Sequence, residues 1–262
     1  MALDVSELKK MAAEEAVELY VKDGMTVGLG TGSTARYAID AIGRLVSEDG
    51  YHLKCVATSE QSAEQARRLG LEVLELADVK GIDVTIDGAD EVDPSMNLIK
   101  GLGGALLREK IVAAATLTEV IIVDDSKLVD VLGSKVSLPV EVVRFGHEHT
   151  AYALKRQGCT PVLRMKDGAP FVTDTGNYIY DCAFGPIERP YFLETAIDSI
   201  PGVVENGLFL NRVEEVLVAG SEGSVYRFSE RRHRSRPDSC TSSRTPFGPD
   251  VHNVSSFYRT SV

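Results

Sequence analysis

Carboxylates, a lysine and a glycine cluster occur close together between positions 84 and 110. Asp87, Asp90 and Glu91 follow an apolar run, Lys100 precedes the glycines, and a helical pattern then carries Glu109. Carboxylates at strand ends beside a glycine-rich turn are typical of open α/β sites, which form at the carboxyl ends of the strands. We therefore expect the chemistry of this chain to take place in this stretch.

Glu109 lies in an Arg-Glu-Lys run, which is common on ordinary helix surfaces, so a solvated face is the simpler interpretation. The carboxylates of Asp87 and Asp90 could likewise belong to a solvated loop. A glutamate that faced Lys100 would instead suit proton transfer at a carbon beside a carbonyl group. Lys100 and the glycine N–H groups would then stabilise the enediolate oxygen, and the reaction would need no metal ion or cofactor.

The sequence GLGTGSTA, residues 28–35, separates a strand pattern from a helix pattern. Backbone N–H groups at such a helix start can bind a phosphate group, together with the hydroxyls of Ser33 and Thr34. A Walker loop requires a lysine directly after its last glycine, and this sequence has none there. The third glycine of a dinucleotide fingerprint is also missing. A purely structural turn is the alternative, but we favour a site for one phosphate group.

Composition excludes several classes of protein. The 262 residues are 44% hydrophobic and 26% charged, as in ordinary globular proteins. The net charge of −11 argues against a nucleic-acid binder, although a local pocket could still attract a small anion. No apolar run approaches the roughly 20 residues of a membrane span. Four scattered cysteines favour a reducing, cytoplasmic location, and neither they nor the histidines have the spacing of a metal site.

Strand and helix patterns alternate in the first half of the chain. Strand patterns cover 25–29, 53–58, 71–76, 83–86 and 120–123, and helical patterns cover 4–21, 34–45, 60–69 and 104–117. This alternation predicts an α/β fold with a Rossmann-like, mainly parallel sheet that helices cover on both faces.

The order changes after residue 133. Strand patterns at 136–143, 161–165, 171–173 and 178–182 surround helical patterns at 147–157 and 191–200, with a hairpin turn expected at 174–177. This β-α-β-β-α-β order predicts a smaller, ferredoxin-like α+β domain at 133–205. Residues 208–210 and 216–219 are expected to return to the first sheet, so the catalytic domain would comprise 1–132 and 206–224.

The last 38 residues, 225–262, have a different composition. They contain seven arginines, eight serines and three prolines but no lysine. A basic functional arm is one interpretation, but the composition favours a disordered extension that the fold does not need. The abrupt change suggests the hypothesis that this segment is a frameshifted or vector-derived read-through.

Six segments in order resemble ribose-5-phosphate isomerase of type A. They are GLGTGSTA (28–35), IDGADEVD (86–93), IKGLGGALLREKIVA (99–113), DDSK (124–127), LPVEVV (138–143) and IPGVVENGLF (200–209). The resemblance extends from about residue 8 to residue 223. It implies interconversion of D-ribose 5-phosphate and D-ribulose 5-phosphate in the pentose phosphate pathway, without a metal ion or cofactor.

The resemblance also implies roles for individual residues. Glu109 would be the base that moves a proton between C2 and C1, Asp87 and Asp90 would contact sugar hydroxyls, and Asp87 with Lys100 would assist ring opening. The expected substrate-binding set is Thr31, Gly32, Ser33, Thr34, Asp87, Gly88, Ala89, Asp90, Lys100, Gly101, Leu102, Gly103 and Lys127. Within this set the backbone of residues 100–103 would line the oxyanion position.

The resemblance assigns the phosphate end of the substrate to residues 31–34 and Lys127, with help from either Lys9 or Lys10. Leu102 stands where many family members have glycine, and we expect it to be tolerated because the backbone provides the functional groups there. The family is commonly dimeric or tetrameric, which implies a homodimer or homotetramer. From the acidic charge and the lack of a long apolar run, we expect it to bind neither nucleic acid nor membranes.

Three other functions are possible on such a scaffold, since fold alone does not define function. A sugar-phosphate sensor of a transcription regulator would need a DNA-binding module, and we expect about 24 residues before the first strand to be too few. An acyl-CoA transferase would leave the GTGST and DGAD sequences together unexplained. A deaminase of 6-phosphosugars would share the phosphate loop and the carboxylates, and would differ by releasing ammonia.

Overall fold

The computed structural model of the chain describes residues 4–228. The helices are α1 (Val5–Tyr20), α2 (Ala35–Ser47), α3 (Glu60–Arg68), α4 (Leu106–Ala114), α5 (His147–Arg156) and α6 (Pro190–Asp198). The strands of the main sheet are β1 (Thr26–Leu29), β2 (Lys54–Ala57), β3 (Glu72–Val73), β4 (Ile82–Asp87), β7 (Thr116–Asp124), β15 (Glu215–Ala219) and β16 (Val225–Phe228). The remaining strands are β5 (Glu91–Val92), β6 (Leu98–Ile99), β8 (Leu138–Val142), β9 (Thr160–Leu163), β10 (Met165–Lys166), β11 (Ala169–Pro170), β12 (Tyr178–Ala183), β13 (Val203–Asn206) and β14 (Leu208–Phe209).

The main sheet has the strand order β16-β15-β7-β4-β1-β2-β3. Every neighbouring pair is parallel except β15 and β16, which are antiparallel. Strand β4 and the last six residues of β7 are almost continuously buried, as expected for parallel strands that are covered on both faces. The predicted Rossmann-like sheet is therefore confirmed. Within residues 4–228 every helix is too short or too polar to cross a bilayer.

The strand order reverses between β1 and β4. From β1 the chain continues to β2 and β3 on one side, whereas β4, β7 and β15 follow on the other side. The carboxyl ends of β1 and β4 are adjacent, since Leu29 pairs with Ile86. A Cβ atom on Gly30 would lie 2.3 Å from the Asp87 carboxylate, so only glycine allows the two following loops to come this close. Ligands of open α/β sheets bind at such a reversal.

A second sheet has the order β13-β8-β12-β9, and all of its neighbouring pairs are antiparallel. Together with α5 and α6 these strands form the predicted β-α-β-β-α-β arrangement, so the ferredoxin-like part of the fold is confirmed. Both sheets belong to one compact unit. The proposed domain boundaries at 132/133 and 205/206 remain predictions.

Two predicted strands are wrong in detail. Residues 171–173 form no strand, because β12 pairs with β8 and β9 instead, while the shorter β10 and β11 form a separate hairpin. The turn at 174–177 exists, with the Gly176 N–H donating to the Thr173 carbonyl. Strand β14 does not return to the main sheet, since it pairs with β6 in a small three-stranded sheet. Short apolar runs do not specify which partner a strand will choose.

The predicted disordered extension begins too early, because its first four residues form β16. Val225 and Phe228 pack against the hydrophobic core, and the strand pairs with all of Val216–Ala219. An alternating pattern of only four residues was too short to recognise in an arginine-rich context. The rest of the predicted extension, 229–262, lies outside the described residues.

Removal of β16 should destabilise the fold. Relative to a chain that ends at residue 228, a chain that ends at residue 224 is expected to lose about 1–3 kcal/mol of unfolding free energy, through lost strand hydrogen bonds and apolar burial. Urea unfolding followed by circular dichroism measures the difference. Equal unfolding midpoints for the two chains would show that β16 does not contribute to stability.

Candidate active site

The structure brings together thirteen of the fourteen predicted site residues around one cleft of about 220 Å³. Its lining consists of Thr31, Gly32, Ser33, Thr34, Gly88, Ala89, Asp90, Lys100, Gly101, Leu102, Gly103, Glu109 and Lys127. A larger cleft of about 630 Å³, beside Arg36 and Arg68, contains no buried charged side chain. The smaller cleft lies at the reversal of strand order, so it is the candidate active site.

Asp87, the fourteenth residue, lies behind the cleft rather than in its lining. The carboxylate is 1% exposed and accepts hydrogen bonds from the N–H groups of Thr31 (3.0 Å) and Gly88 (2.7 Å). Its other oxygen lies 3.0 Å from Lys100 Nζ. This geometry suits an anchor for the loops and the lysine, and it leaves Asp90 as the aspartate that faces the cleft.

Lys100 is a buried ammonium group surrounded by oxygen atoms. Its Nζ contacts the Asp87 carboxylate, donates to the carbonyl of Gly88 and lies 3.6 Å from Glu109 Oε2. Burial disfavours the ammonium, but the carboxylates of Asp87 and Glu109 outweigh this effect and raise the pKa of Lys100 above its ordinary value. Lys100 therefore carries a fixed positive charge at neutral pH.

Glu109 is not the solvated helix residue that its Arg-Glu-Lys context suggests. It lies in the first turn of α4, is only 4% exposed, and its Oε2 has no hydrogen-bond partner within residues 4–228. Burial raises the pKa of Glu109 to about 8, against the opposing effect of the Lys100 ammonium. Its neighbours bond elsewhere, Arg108 to Glu60 and Lys110 to Glu205. A buried carboxyl whose pKa is close to neutral is suited to accept and return a proton.

The loop after β1 presents unused hydrogen-bond donors at the other end of the cleft. Among the described residues, the N–H groups of Gly32, Ser33 and Thr34 donate to no protein acceptor, and they precede the first turn of α2. Lys9 Nζ donates to Ser33 Oγ at 2.9 Å, whereas Lys10 lies 3.8 Å from Glu14. Free N–H groups, a helix start and a lysine form a suitable site for a phosphate group.

Thr31 is held by hydroxyl groups that sequence reasoning did not identify. Its Oγ1 lies 2.7 Å from Thr58 Oγ1 and 2.8 Å from Ser59 Oγ. Both partners follow β2, the neighbour of β1 in the sheet. The only signal for them is their position at the carboxyl end of an adjacent strand, which applies to many polar residues.

The glycine loop offers fewer oxyanion donors than the sequence suggested. The N–H of Lys100 donates to the Gly207 carbonyl, and the N–H of Leu102 donates to Asp90 Oδ2 at 3.0 Å. The N–H groups of Gly101 and Gly103 have no acceptor within the described part of the chain. In the described part of the chain, two cleft-lining residues, Gly101 and Gly103, therefore retain unused backbone donors near the Lys100 ammonium.

Arg164 is a further contact that the sequence did not indicate. Its guanidinium donates to the carbonyl oxygens of Gly101 (2.9 Å) and Leu102 (3.2 Å). The residue follows β9 of the second sheet, 63 positions from Gly101. Nothing in a single sequence links two segments at that separation.

The structure is that of an α/β protein whose cleft, with its lysines and N–H groups, is suited to a small anionic ligand. Residues 54–223 match the family model of ribose 5-phosphate isomerase A (phosphoriboisomerase A). The ribose-5-phosphate isomerase A of Gloeobacter violaceus is 54% identical over 222 residues, which cover 84% of this chain and 96% of that protein. The chain therefore belongs to the ribose 5-phosphate isomerase A family.

Solved structures of the family have a similar fold. The ribose 5-phosphate isomerase of Plasmodium falciparum is 40% identical with a TM-score of 0.82, covering 85% of this chain and 97% of that one. A D-ribose-5-phosphate isomerase in complex with phospho-erythronic acid is 39% identical with a TM-score of 0.83, covering 86% of this chain and 99% of that one.

The raised pKa of Glu109 can be measured directly. In protein labelled with ¹³C at glutamate carboxyl carbons, the resonance that disappears in Glu109→Gln is expected to titrate near pH 8. Lys100→Met should move this midpoint upward by about one unit or more, because the ammonium opposes the effect of burial. Lys10→Met, which removes an exposed lysine, should leave it unchanged. A midpoint near the ordinary glutamate value of about 4.3 would show that burial does not raise the pKa of Glu109.

Proposed function

We infer that the chain interconverts D-ribose 5-phosphate and D-ribulose 5-phosphate, an aldose–ketose isomerisation of the pentose phosphate pathway. Family membership supports the reaction, and one observation carries the mechanism. Glu109 is a buried carboxyl whose Oε2 lies 3.6 Å from the Lys100 ammonium and, among the described residues, accepts no hydrogen bond. It lines a cleft whose loops carry N–H groups that bond to no acceptor in the same part of the chain. This arrangement supplies both a base and the stabilisation of a developing negative charge.

The phosphate group of the substrate is proposed to bind at the loop after β1. The free N–H groups of residues 32–34 and the ammonium groups of Lys9 and Lys127 would surround it. The opposite end of the cleft then receives C1 and C2, next to Glu109 and Lys100. Asp90, whose Oδ2 already accepts from the Leu102 N–H, would contact sugar hydroxyls between the two ends.

In the proposed reaction Glu109 removes the proton from C2 of the open-chain aldose. The electron pair moves into the C1–C2 bond, and negative charge develops on the oxygen at C1. Lys100 and the N–H groups of Gly101 and Gly103 would stabilise this oxygen, as preorganised donors do in other oxyanion sites. A proton then moves from the C2 hydroxyl to the oxygen at C1, so that the carbonyl group forms at C2 while Glu109 returns its proton to C1. The product is the ketose. Asp87 would keep Lys100 in place and, with it, assist opening of the sugar ring.

Two properties of the whole molecule are also proposed. The chain would work in the cytoplasm, which the three buried free thiols Cys55, Cys159 and Cys182 support, because such thiols persist in a reducing compartment. It would form a homodimer or homotetramer. Exposed apolar side chains on the second sheet and its helices, including Val162 and Tyr152, support association. Light scattering of the purified chain tests the second proposal.

Replacement of the base tests the mechanism. Glu109→Gln should lower kcat about 10²–10⁴-fold with little change in KM, because proton transfer is lost while the binding contacts remain. Glu141→Gln is the matched control: Glu141 is also a buried glutamate, but it accepts hydrogen bonds from Thr173 and Thr175 and does not line the cleft. Its turnover should stay near that of the wild type.

The assay follows ribose 5-phosphate in D₂O with EDTA by NMR. Ketose formation with deuterium uptake at C1 by the wild type, and its loss in Glu109→Gln alone, is the expected outcome. Near-normal turnover of Glu109→Gln would remove this residue from the mechanism. Release of ammonia from an amino sugar phosphate, without ketose formation from ribose 5-phosphate, would favour the deaminase alternative.

The two neighbouring lysines of α1 provide a matched pair for the phosphate site. Lys9→Ala should raise KM for ribose 5-phosphate about tenfold or more, because a charge-assisted contact to the phosphate is lost. Lys10→Ala should leave KM unchanged, since Lys10 is directed toward Glu14. Steady-state kinetics at fixed ionic strength measures both, and equal KM values for the two variants would contradict the assignment.

A further inference from the structure

Arg164 connects the second sheet to the glycine loop of the cleft. Its Nη1 donates to the carbonyl oxygens of Gly101 and Leu102, at 2.9 and 3.2 Å. The Arg164 side chain is largely buried, with 13% of it exposed. A buried guanidinium with two bonds to one loop restricts the conformation of that loop.

The guanidinium is itself held in a fixed orientation. Arg164 Nε donates to Asp181 Oδ2 at 3.0 Å, and Nη2 donates to the other oxygen of the same carboxylate. Asp181 lies on β12, which pairs with β9 immediately before Arg164. Such two-point pairing is specific to arginine, because its donors form a rigid planar fork.

Phe171 supports the same loop from an adjacent position. Its N–H donates to the Arg164 carbonyl at 2.8 Å across the base of the β10–β11 hairpin. A Cβ atom on Gly104 would lie 2.5 Å from the Phe171 ring, and Gly104 has a φ of +83°. The hairpin therefore places an aromatic ring and a guanidinium side by side against residues 101–104.

The two carbonyl contacts determine where the adjacent N–H groups point. In a trans peptide the C=O of one residue and the N–H of the next point in opposite directions, and residues 4–228 contain no cis peptide bond. The Gly101 carbonyl accepts a hydrogen bond from Arg164, and the Leu102 N–H of the same peptide therefore points the other way and donates to Asp90. With the Leu102 carbonyl on Arg164, the Gly103 N–H points away from Arg164 and has no acceptor in the described part of the protein.

We propose that Arg164 is a positioning residue for the isomerisation, because it orients the Gly103 N–H toward the oxygen that becomes negatively charged. Arg164 does not line the cleft, so it acts through the loop and not on the substrate. Within residues 4–228 it is the only donor to the Leu102 carbonyl. This inference rests on the proposed function. It assigns part of the oxyanion site to the second sheet.

Three variants test the proposal. Arg164→Met removes both carbonyl contacts, Arg164→Lys keeps the charge but can satisfy only part of them, and Asp181→Asn keeps Arg164 but weakens its anchor. Arg164→Met should lower kcat about 10- to 100-fold with less than about threefold change in KM, as expected when an oxyanion donor is displaced. The other two variants should fall between it and the wild type. Thermal unfolding establishes that each variant is folded.

Inhibition by phospho-erythronic acid provides a second readout, since its carboxylate places negative charge where the enediolate would carry it. Arg164→Met should weaken this inhibition by about the factor lost in kcat, and inhibition by inorganic phosphate should not change. Parallel losses for both inhibitors, or an unchanged kcat in the folded variant, would overturn the proposal. If Arg164→Met does not fold, Asp181→Asn decides: unchanged kcat and unchanged acid inhibition reject the role of Arg164.

The wild type distinguishes failure of this inference from failure of the proposed function. If the wild-type chain forms ketose and the Arg164 and Asp181 variants match it, only the positioning role is rejected. If the wild-type chain forms no ketose, the isomerase assignment itself fails, and the positioning role fails with it.

Discussion

The contact between Lys100 and its two carboxylates is the interaction on which the candidate site depends. Asp87, Lys100 and Glu109 are at most 4% exposed, so each has lost nearly all of its hydration. Burial of a charge is costly, and a buried ion pair often contributes little or nothing to net stability. Here the Lys100 ammonium lies 3.0 Å from the Asp87 carboxylate and 3.6 Å from the Glu109 carboxylate. The shorter contact satisfies Asp87, and the longer one leaves Glu109 able to gain and lose a proton.

The fold supplies what this cluster needs. Adjacent carboxyl ends of β1 and β4 bring Gly30 and Asp87 together, and the absence of a side chain at Gly30 gives the carboxylate its position. Backbone N–H groups of Thr31 and Gly88 then compensate the Asp87 charge. These donors belong to the same two loops that line the cleft. The conformation of these loops therefore both stabilises the buried charge and shapes the binding site.

Much of this could be predicted from the sequence, because the signals are local. Alternating strand and helix patterns gave the parallel sheet, and ordered motifs gave the cleft residues, including Glu109 and Lys100. Where the sequence was insufficient, the missing information was non-local. The apolar pattern of β14 does not specify which sheet the strand joins. Lys9 and Lys10 are adjacent in sequence, and only the helix determines that Lys9 contacts Ser33 while Lys10 lies near Glu14. Arg164 has no motif at all.

The same limit explains why the sequence predicts a second domain but no role for it at the cleft. Its contribution is a set of hydrogen bonds to backbone carbonyl atoms, and backbone acceptors leave no trace in a sequence. The carbonyl oxygens of Gly101 and Leu102 are fixed from this side by Arg164, while Asp90, in the loop after β4, accepts the hydrogen bond of the intervening Leu102 N–H. A loop held from both sides cannot relax around a substrate. The donors at Gly101 and Gly103 are therefore set before the substrate binds, which is the condition under which fixed dipoles stabilise a developing charge most effectively.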